Sequence, residues 1–194
     1  MRCLTLRIHV IDNGGQWTHR EWRVLRDLGI ECEIKSNDSE VAALEDADGL
    51  VLSGGSPSLV EDGFNLGRTS DYLEKLNIPI LGICAGAQFM GRFYGSKVKP
   101  ASRPEFGPVT IEVLSEDTIL SGFPASFVAW ESHNDEIESV PTGFVLLASS
   151  KTCKVQAMCN ETLARYAVQF HPEVEHTERG RDLFRNFIGV CAQR

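Results

Sequence analysis

The spacing of apolar residues in the first half of the chain alternates between strand-like runs and helix-like stripes. Residues 6–11 form a branched apolar run that predicts a buried strand, and the apolar positions between residues 17 and 28 recur at helical spacing. The same reading predicts strands at 32–35, 49–52 and 78–83 and helices at 41–44, 71–76 and after residue 84. This alternation predicts a parallel, doubly wound sheet, which binds ligands at the carboxyl ends of its strands.

The pattern changes after residue 106, where strand-like runs follow one another without long helices between them. These runs lie at 109–114, 127–130, 144–149, 155–158 and 164–169, and a last amphipathic helix is predicted at 183–191. This half therefore predicts mixed or antiparallel pairing. Residues 130–136 are unusually polar, and we interpret them as a connection that could carry binding groups.

Composition narrows the class of protein. A chain of 194 residues that is 42% hydrophobic fits a single domain, residues 1–194, without internal repeats. No apolar run reaches the roughly 18 residues that span a bilayer, and residues 1–7 are too short and charged for a secretory signal, so we expect a cytoplasmic protein. The net charge of -8 argues against nucleic-acid binding. The six cysteines include no C-x-x-C pair, which argues against a metal site.

Cys84 lies at the corner between a predicted strand and a predicted helix. Gly82 and Gly86 stand two places before and after it, giving the pattern G-x-C-x-G, the cysteine form of a nucleophile elbow. Such a turn exposes the thiol above a helix N-terminus, which favours the thiolate, and points the Ala85 N–H towards a developing oxyanion. A buried structural cysteine beside a tight turn explains the same residues equally well.

Two further segments follow predicted strands. The turn Ser53-Gly54-Gly55 would let the backbone approach a ligand closely, although an ordinary strand-to-loop turn looks the same. The segment His171-Pro172-Glu173 offers a base and a carboxylate held in a fixed relation by proline. A thiol nucleophile needs a base for its proton, and the base needs a carboxylate to orient it. The sequence therefore predicts a Cys84, His171 and Glu173 site.

Residues 82–88, 53–55 and 170–174 together resemble those of class I glutamine amidotransferases, and the resemblance covers nearly the whole chain. It implies a flavodoxin-like α/β fold whose central, mostly parallel sheet carries helices on both faces, with a smaller antiparallel sheet. It also implies a catalytic triad that forms a glutamyl thioester, releases ammonia and then yields glutamate, made of Cys84, His171 and Glu173.

The same resemblance implies the residues that hold the substrate. The oxyanion would be bound by the backbone N–H groups of Gly55 and Ala85. Glutamine would be bound by the side chain of Gln88 and by backbone around Ser132, His133 and Asn134. Ala85 departs from the larger residue common at its position, so the pocket wall is expected to be looser and the basal activity lower.

Residues 11–20, 130–136 and 171–177 are most similar to the glutaminase part of GMP synthases, which passes ammonia to a synthetase that aminates XMP with ATP. The resemblance implies a free-standing glutaminase subunit without an ATP-pyrophosphatase domain, partnered by a separate synthetase subunit. We expect no cofactor on this chain, because ATP and magnesium would bind the partner. We expect the rim that includes Asp135 and His176 to contact that partner.

Two alternatives stay open at this point. The chain could serve another acceptor, as the glutaminase subunits for anthranilate or aminodeoxychorismate do. It could also be a regulatory relative that kept the fold without catalysis, although all three triad positions are filled.

Overall fold

The computed structural model describes residues 6–60, 66–116 and 118–193. The cysteine at position 3 and most of the N-terminal segment 1–7 lie outside the described residues. Within them, no helix combines the length and apolar character needed to cross a bilayer.

The first half of the chain consists of βα units, as the apolar spacing predicts. Its elements are β1 (Ile8–Asp12), α1 (Thr18–Asp27), β2 (Ile34–Ser36), a 3₁₀ turn (Val41–Leu44), β3 (Gly49–Leu52), α2 (Thr69–Lys75), β4 (Ile80–Ile83) and α3 (Ala85–Phe93). The four-residue helix expected at 41–44 is thus a single 3₁₀ turn.

The second half consists mainly of strands. They are β5 (Val98–Val113), β6 (Ser126–Ile137), β7 (Val145–Ser150), β8 (Ala157–Asn160) and β9 (Arg165–Val168), followed by α4 (Gly180–Cys191). A second 3₁₀ turn (Thr118–Leu120) precedes β6.

The nine strands of the described residues belong to one sheet, in the order β2-β1-β3-β4-β9-β8-β7-β5-β6. The pairs from β2 to β9 in that order are parallel, and the remaining pairs are antiparallel. The smaller antiparallel sheet expected from the sequence is therefore a continuation of the parallel one. Strand β9 makes this continuity possible because it pairs with β4 in parallel and with β8 in antiparallel fashion.

The polar segment 130–136, expected as a connection, lies inside β6. Glu131, His133 and Glu136 are buried although they are polar. These polar residues stand at buried positions where a strand usually has apolar residues, so the alternation that would have identified the strand is missing from the sequence.

Helices cover both faces of the parallel half. On one face, Val10, Val51 and Leu81 pack in a cluster with residues of α1 and α4, such as Leu25 and Phe184. On the other face, the alternate strand residues pack with α2 and α3, where they meet Tyr72, Phe89 and Met90. Because β4 and β9 are parallel neighbours, the segments that follow them emerge side by side at one edge of the sheet.

Candidate active site

Cys84 has the backbone conformation of a nucleophile elbow, with φ 50° and ψ -108°. Steric contacts require glycine at the two flanking positions. A Cβ on Gly82 would lie 2.8 Å from backbone atoms of Gly86, and one on Gly86 would overlap the carbonyl oxygen of Leu52. The corner therefore holds Cys84 in a positive-φ conformation that a non-glycine residue seldom adopts.

Helix α3 begins directly after Cys84. Its first hydrogen bond runs from the Gln88 N–H to the Cys84 carbonyl at 2.9 Å, so the Ala85 N–H precedes the hydrogen-bonded part of the helix. The thiol consequently lies at the positive end of the helix dipole. The thiol itself is 3.9 Å from the Ser132 carbonyl oxygen.

His171 and Glu173 form a buried pair beside Cys84. His171 Nδ1 lies 2.7 Å from Glu173 Oε1. Burial alone would lower the pKa of His171, but the charge of Glu173 and a hydrogen bond with Cys84 outweigh burial and raise that pKa well above its ordinary value. The imidazole therefore keeps a proton on the side of the sulfur at neutral pH. The indole of Trp17 packs edge-on against the imidazole, with ring centroids 4.4 Å apart.

The glycine turn at Gly54 and Gly55 closes over the same site. A Cβ on Gly54 would lie 3.2 Å from His171 Cε1 and 3.6 Å from Cys84 Cβ. The loop after β1 holds this turn in place, since Asn13 donates from its backbone N to Ser53 Oγ and from Nδ2 to the Ser53 carbonyl oxygen, each at 2.9 Å. Gly15 packs against this backbone turn, since a Cβ on it would lie only 2.5 Å from the Gly54 oxygen, whereas Gly14 has open space around it.

A cavity of about 450 Å³ opens above the thiol. Its wall combines the glycine turn, the start of α3 and the middle of β6, and the predicted binding residues on it are Gly55, Ala85, Gln88, Ser132, His133 and Asn134. The structure therefore brings all the residues predicted for catalysis and binding to one pocket. His133 reaches the pocket as part of β6, while its side chain is buried.

The side-chain amide of Gln88 has a defined orientation. Its Nε2 donates to the Asp135 carbonyl oxygen at 2.7 Å and to Gln169 Oε1 at 3.1 Å. A carbonyl oxygen can only accept, so the nitrogen must face Asp135. Gln88 Oε1 therefore remains an acceptor that a ligand can use.

The two residues predicted to contact a partner differ in position, because Asp135 lines the cavity and His176 is not among its lining residues. Asp135 lines the cavity, and its Oδ2 accepts a hydrogen bond from Ser58 Oγ at 2.7 Å. His176 is exposed and its ring lies 4.9 Å from that of Trp130.

Three residues near the nucleophile were not predicted from the sequence: Trp17, Glu21 and Gln169. Glu21 is buried against the site, where burial first and the charge of Glu173 second raise its pKa well above its ordinary value. It lies four residues after Trp17 on the apolar stripe of α1, so a charged residue on that stripe was a usable signal. Gln169, two residues before His171, carries no comparable signal.

A second buried polar cluster lies under β6. Glu105, His133 and Cys153 place possible metal ligands within 4.8 Å of one another. Both oxygens of Glu105 already accept hydrogen bonds, from His133 Nε2 at 2.9 Å and Ser150 Oγ at 2.6 Å among others. Burial also raises the pKa of the Cys153 thiol far above its ordinary value, so this sulfur is a poor metal ligand. The cluster fits a structural hydrogen-bond network better than a metal site.

Comparison with known proteins places this arrangement in context. The sequence model described as "Glutamine amidotransferase class-I" matches residues 9–190. A subunit of the glutamine-hydrolyzing GMP synthase from Thermoplasma volcanium is 52% identical over 190 residues, covering 98% of this chain and 94% of the relative. The crystal structure of a GMP synthase subunit from Thermoplasma acidophilum superposes with a TM-score of 0.93 at 52% identity, covering 97% of this chain and 95% of that one. A glutamine amidotransferase from Thermotoga maritima shares the fold, with a TM-score of 0.80 at 18% identity.

Proposed function

This chain belongs to the class I glutamine amidotransferase family, and from that premise we propose that it is the glutamine-hydrolysing subunit of a two-subunit GMP synthase. It releases ammonia from glutamine, and a separate synthetase subunit uses that ammonia to aminate XMP. One observation supports this chemistry above all. Cys84 has a positive φ at a helix N-terminus, and it lies beside the buried, hydrogen-bonded pair of His171 and Glu173.

In the proposed acylation step, the Cys84 thiolate attacks the side-chain amide carbon of glutamine. A carbon–sulfur bond forms, and the carbonyl electrons move onto oxygen. The backbone N–H groups of Gly55 and Ala85 are the proposed donors to that oxyanion, since both residues line the cavity at the thiol. His171 gives its proton to the amide nitrogen, the carbon–nitrogen bond breaks, and ammonia leaves a glutamyl thioester.

The second step reverses these roles. His171, now neutral, takes a proton from water, and the resulting hydroxide attacks the thioester carbon. The carbon–sulfur bond breaks, the new carboxyl group loses its proton to solvent and leaves as glutamate, and the thiolate returns beside protonated His171. Glu173 orients the imidazole throughout, because its 2.7 Å contact with Nδ1 directs Nε2 towards the sulfur.

We propose that the amino-acid end of glutamine binds along β6 and α3. Gln88 Oε1 is the free acceptor of that side chain, so it suits the α-ammonium group of the substrate. Backbone groups of Ser132, His133 and Asn134 border the same cavity. Ala85 presents only a methyl group beside the nucleophile, and we expect slow hydrolysis by the isolated subunit.

Covalent trapping tests the nucleophile. A diazo-ketone analogue of glutamine should add one adduct mass at Cys84 in the wild type and none in Cys84→Ser, with the synthetase subunit present. Ammonia release should fall at least 1,000-fold in Cys84→Ser, which is about 4 kcal/mol of lost transition-state stabilisation. Equal ammonia release from both proteins would reject the assignment.

The partner supplies the remaining chemistry in this proposal. ATP and magnesium bind the synthetase subunit, and residues 1–194 form a single amidotransferase domain that carries no cofactor. The thiols of Cys32, Cys84, Cys153 and Cys191 are not in disulfides, which supports the proposal of a reducing, cytoplasmic location.

We propose that the rim at Asp135 and His176 docks the synthetase. Alanine at either position should lower partner-stimulated glutaminase activity several-fold and leave unstimulated activity closer to the wild type. Glu74→Ala is the control, because Glu74 is exposed on α2 and away from the cavity. Unchanged stimulation in the Asp135→Ala and His176→Ala variants would place the contact surface elsewhere.

A further inference from the structure

We propose, on the basis of the proposed function, that Gln169 is a catalytic residue whose side-chain amide donates a hydrogen bond to Cys84 Sγ and stabilises the thiolate. Gln169 Nε2 lies 3.6 Å from that sulfur. The residue is buried and follows β9, so its amide approaches the sulfur from inside the protein. The face of the sulfur that borders the cavity stays open to substrate.

The direction of the Gln169 amide follows from the hydrogen bonds on its other side. Gln88 must present Nε2 to the Asp135 carbonyl, which only accepts, and the same nitrogen meets Gln169 Oε1 at 3.1 Å. The oxygen of Gln169 is therefore the atom that faces Gln88. Its nitrogen is the atom that faces Cys84, and the contact with sulfur has donor polarity.

A buried contact between His133 and Glu105 holds the far end of this chain of hydrogen bonds. The Asp135 carbonyl also accepts from His133 Nδ1 at 2.9 Å, and His133 Nε2 lies 2.9 Å from Glu105 Oε2. Glu105 also accepts from Ser150, Thr152 and Gln156. The Asp135 carbonyl can only accept, so His133 Nδ1 donates to it, while Nε2 faces the carboxyl group of Glu105. Every hydrogen bond from His133 to Cys84 therefore has a fixed direction.

This arrangement gives the thiolate a donor that the triad does not supply. Two titratable groups that interact electrostatically with Cys84 are His171, after β9, and Glu131, on β6. His171 must release its proton to the leaving ammonia during acylation. The Gln169 amide keeps its hydrogens, so it can stabilise the sulfur anion again when the thioester breaks.

Alkylation of Cys84 tests the inference without requiring glutaminase activity. Iodoacetamide labelling at Cys84, quantified by peptide mass spectrometry from pH 5 to 9, compares the wild type with Gln169→Met and Gln169→Glu. The Met variant has nearly the same size and no donor, whereas the Glu variant keeps an acceptor for Gln88. Asn186→Leu is the control, because it removes a side-chain amide that bonds to the Ile119 and Ser121 carbonyls instead.

A hydrogen bond to a charged group is worth about tenfold or more in an equilibrium. We therefore expect the Gln169→Met profile to move about one pH unit upwards and kcat for glutamine to fall about tenfold, with a smaller change in KM. Asn186→Leu should match the wild type.

A Gln169→Met profile that coincides with the wild type, in a protein with a normal circular dichroism spectrum, would overturn the inference. Gln169→Glu keeps the acceptor for Gln88, so an upward shift in this variant as well would assign the effect to the lost donor. Absence of glutaminase activity in the wild type with its partner would instead reject the proposed function.

Discussion

Replacing Glu105 with glutamine should strongly destabilise the protein, although the two side chains have the same shape. The carboxylate accepts four hydrogen bonds, and its Oε2 receives two of them, from His133 at 2.9 Å and from Gln156 at 2.7 Å. A glutamine keeps one acceptor oxygen and turns an NH₂ group towards the other pair of donors. Each buried donor without a partner costs about 1–3 kcal/mol. The expected loss in the free energy of unfolding is about 3–5 kcal/mol.

Urea unfolding of the wild type and Glu105→Gln at 25 °C measures this loss. Glu112→Gln is the matched control, because the same exchange then falls on an exposed residue of the same strand, where a change within about 0.5 kcal/mol is expected. The glutamine KM should also rise in Glu105→Gln, since His133 would no longer fix the carbonyl that holds Gln88. A loss below 1 kcal/mol would show that the four contacts do not require a carboxylate.

The pH dependence provides a second measurement on the same variant. Burial alone would raise the pKa of Glu105, but the hydrogen bonds from His133, Ser150 and Thr152 outweigh it and lower the pKa from the ordinary value of 4.5. A carboxyl whose pKa is lower in the folded state contributes stability above pH 4.5, and that contribution disappears as the pH falls through the folded value. The difference between wild type and Glu105→Gln should therefore shrink below pH 4.5. A constant difference from pH 7 to pH 3 would contradict this reasoning.

Three further predictions concern stability and are measured by urea unfolding. Gly86→Ala should cost about 3 kcal/mol or more, because its Cβ would overlap the Leu52 carbonyl oxygen, whereas Gly189→Ala, in open space, should gain about 0.5–1 kcal/mol. Burial raises the pKa of Glu21, so this carboxyl group keeps its proton in the folded protein, and the free energy of unfolding should fall as the pH rises above 4.5. The variant Glu21→Gln should show no such fall and should be more stable than the wild type at pH 8. Arg165→Lys should cost about 2–4 kcal/mol, because lysine cannot replace the five hydrogen bonds that the buried guanidinium donates.

The features predicted correctly from sequence are those with a local cause. The strand predicted at 49–52 has the same bounds in the structure, because four consecutive buried residues followed by a glycine turn favour a short buried strand. The corner at Cys84 is equally local. Its two glycines lie within five residues of each other, and backbone atoms of Gly86 leave no space for a Cβ on Gly82.

The features that were missed depend on residues far apart in the chain. Strand β6 buries Glu131 and His133, and the hydrogen bond that satisfies His133 Nε2 there comes from Glu105, which is 28 positions earlier. Gln169 gains its place from Gln88 and Cys84, which are 81 and 85 positions away. Neither arrangement leaves a periodic signal, because polar residues satisfied by distant partners look the same in sequence as exposed ones.

The buried carboxyl groups near the sulfur differ in protonation because they differ in the number of hydrogen-bond donors around them. Glu105 stays ionised because four donors outweigh its burial. Burial first, and then the charge of Glu105, raise the pKa of Glu131 well above its ordinary value, so that Glu131 is neutral beside Cys84. A second carboxylate there would oppose the thiolate, whereas a neutral acid does not. The positive charge of His171 and the donor of Gln169 can therefore act on the sulfur without an opposing anion from β6, and the reactivity of Cys84 depends on how β6 is buried as much as on the triad.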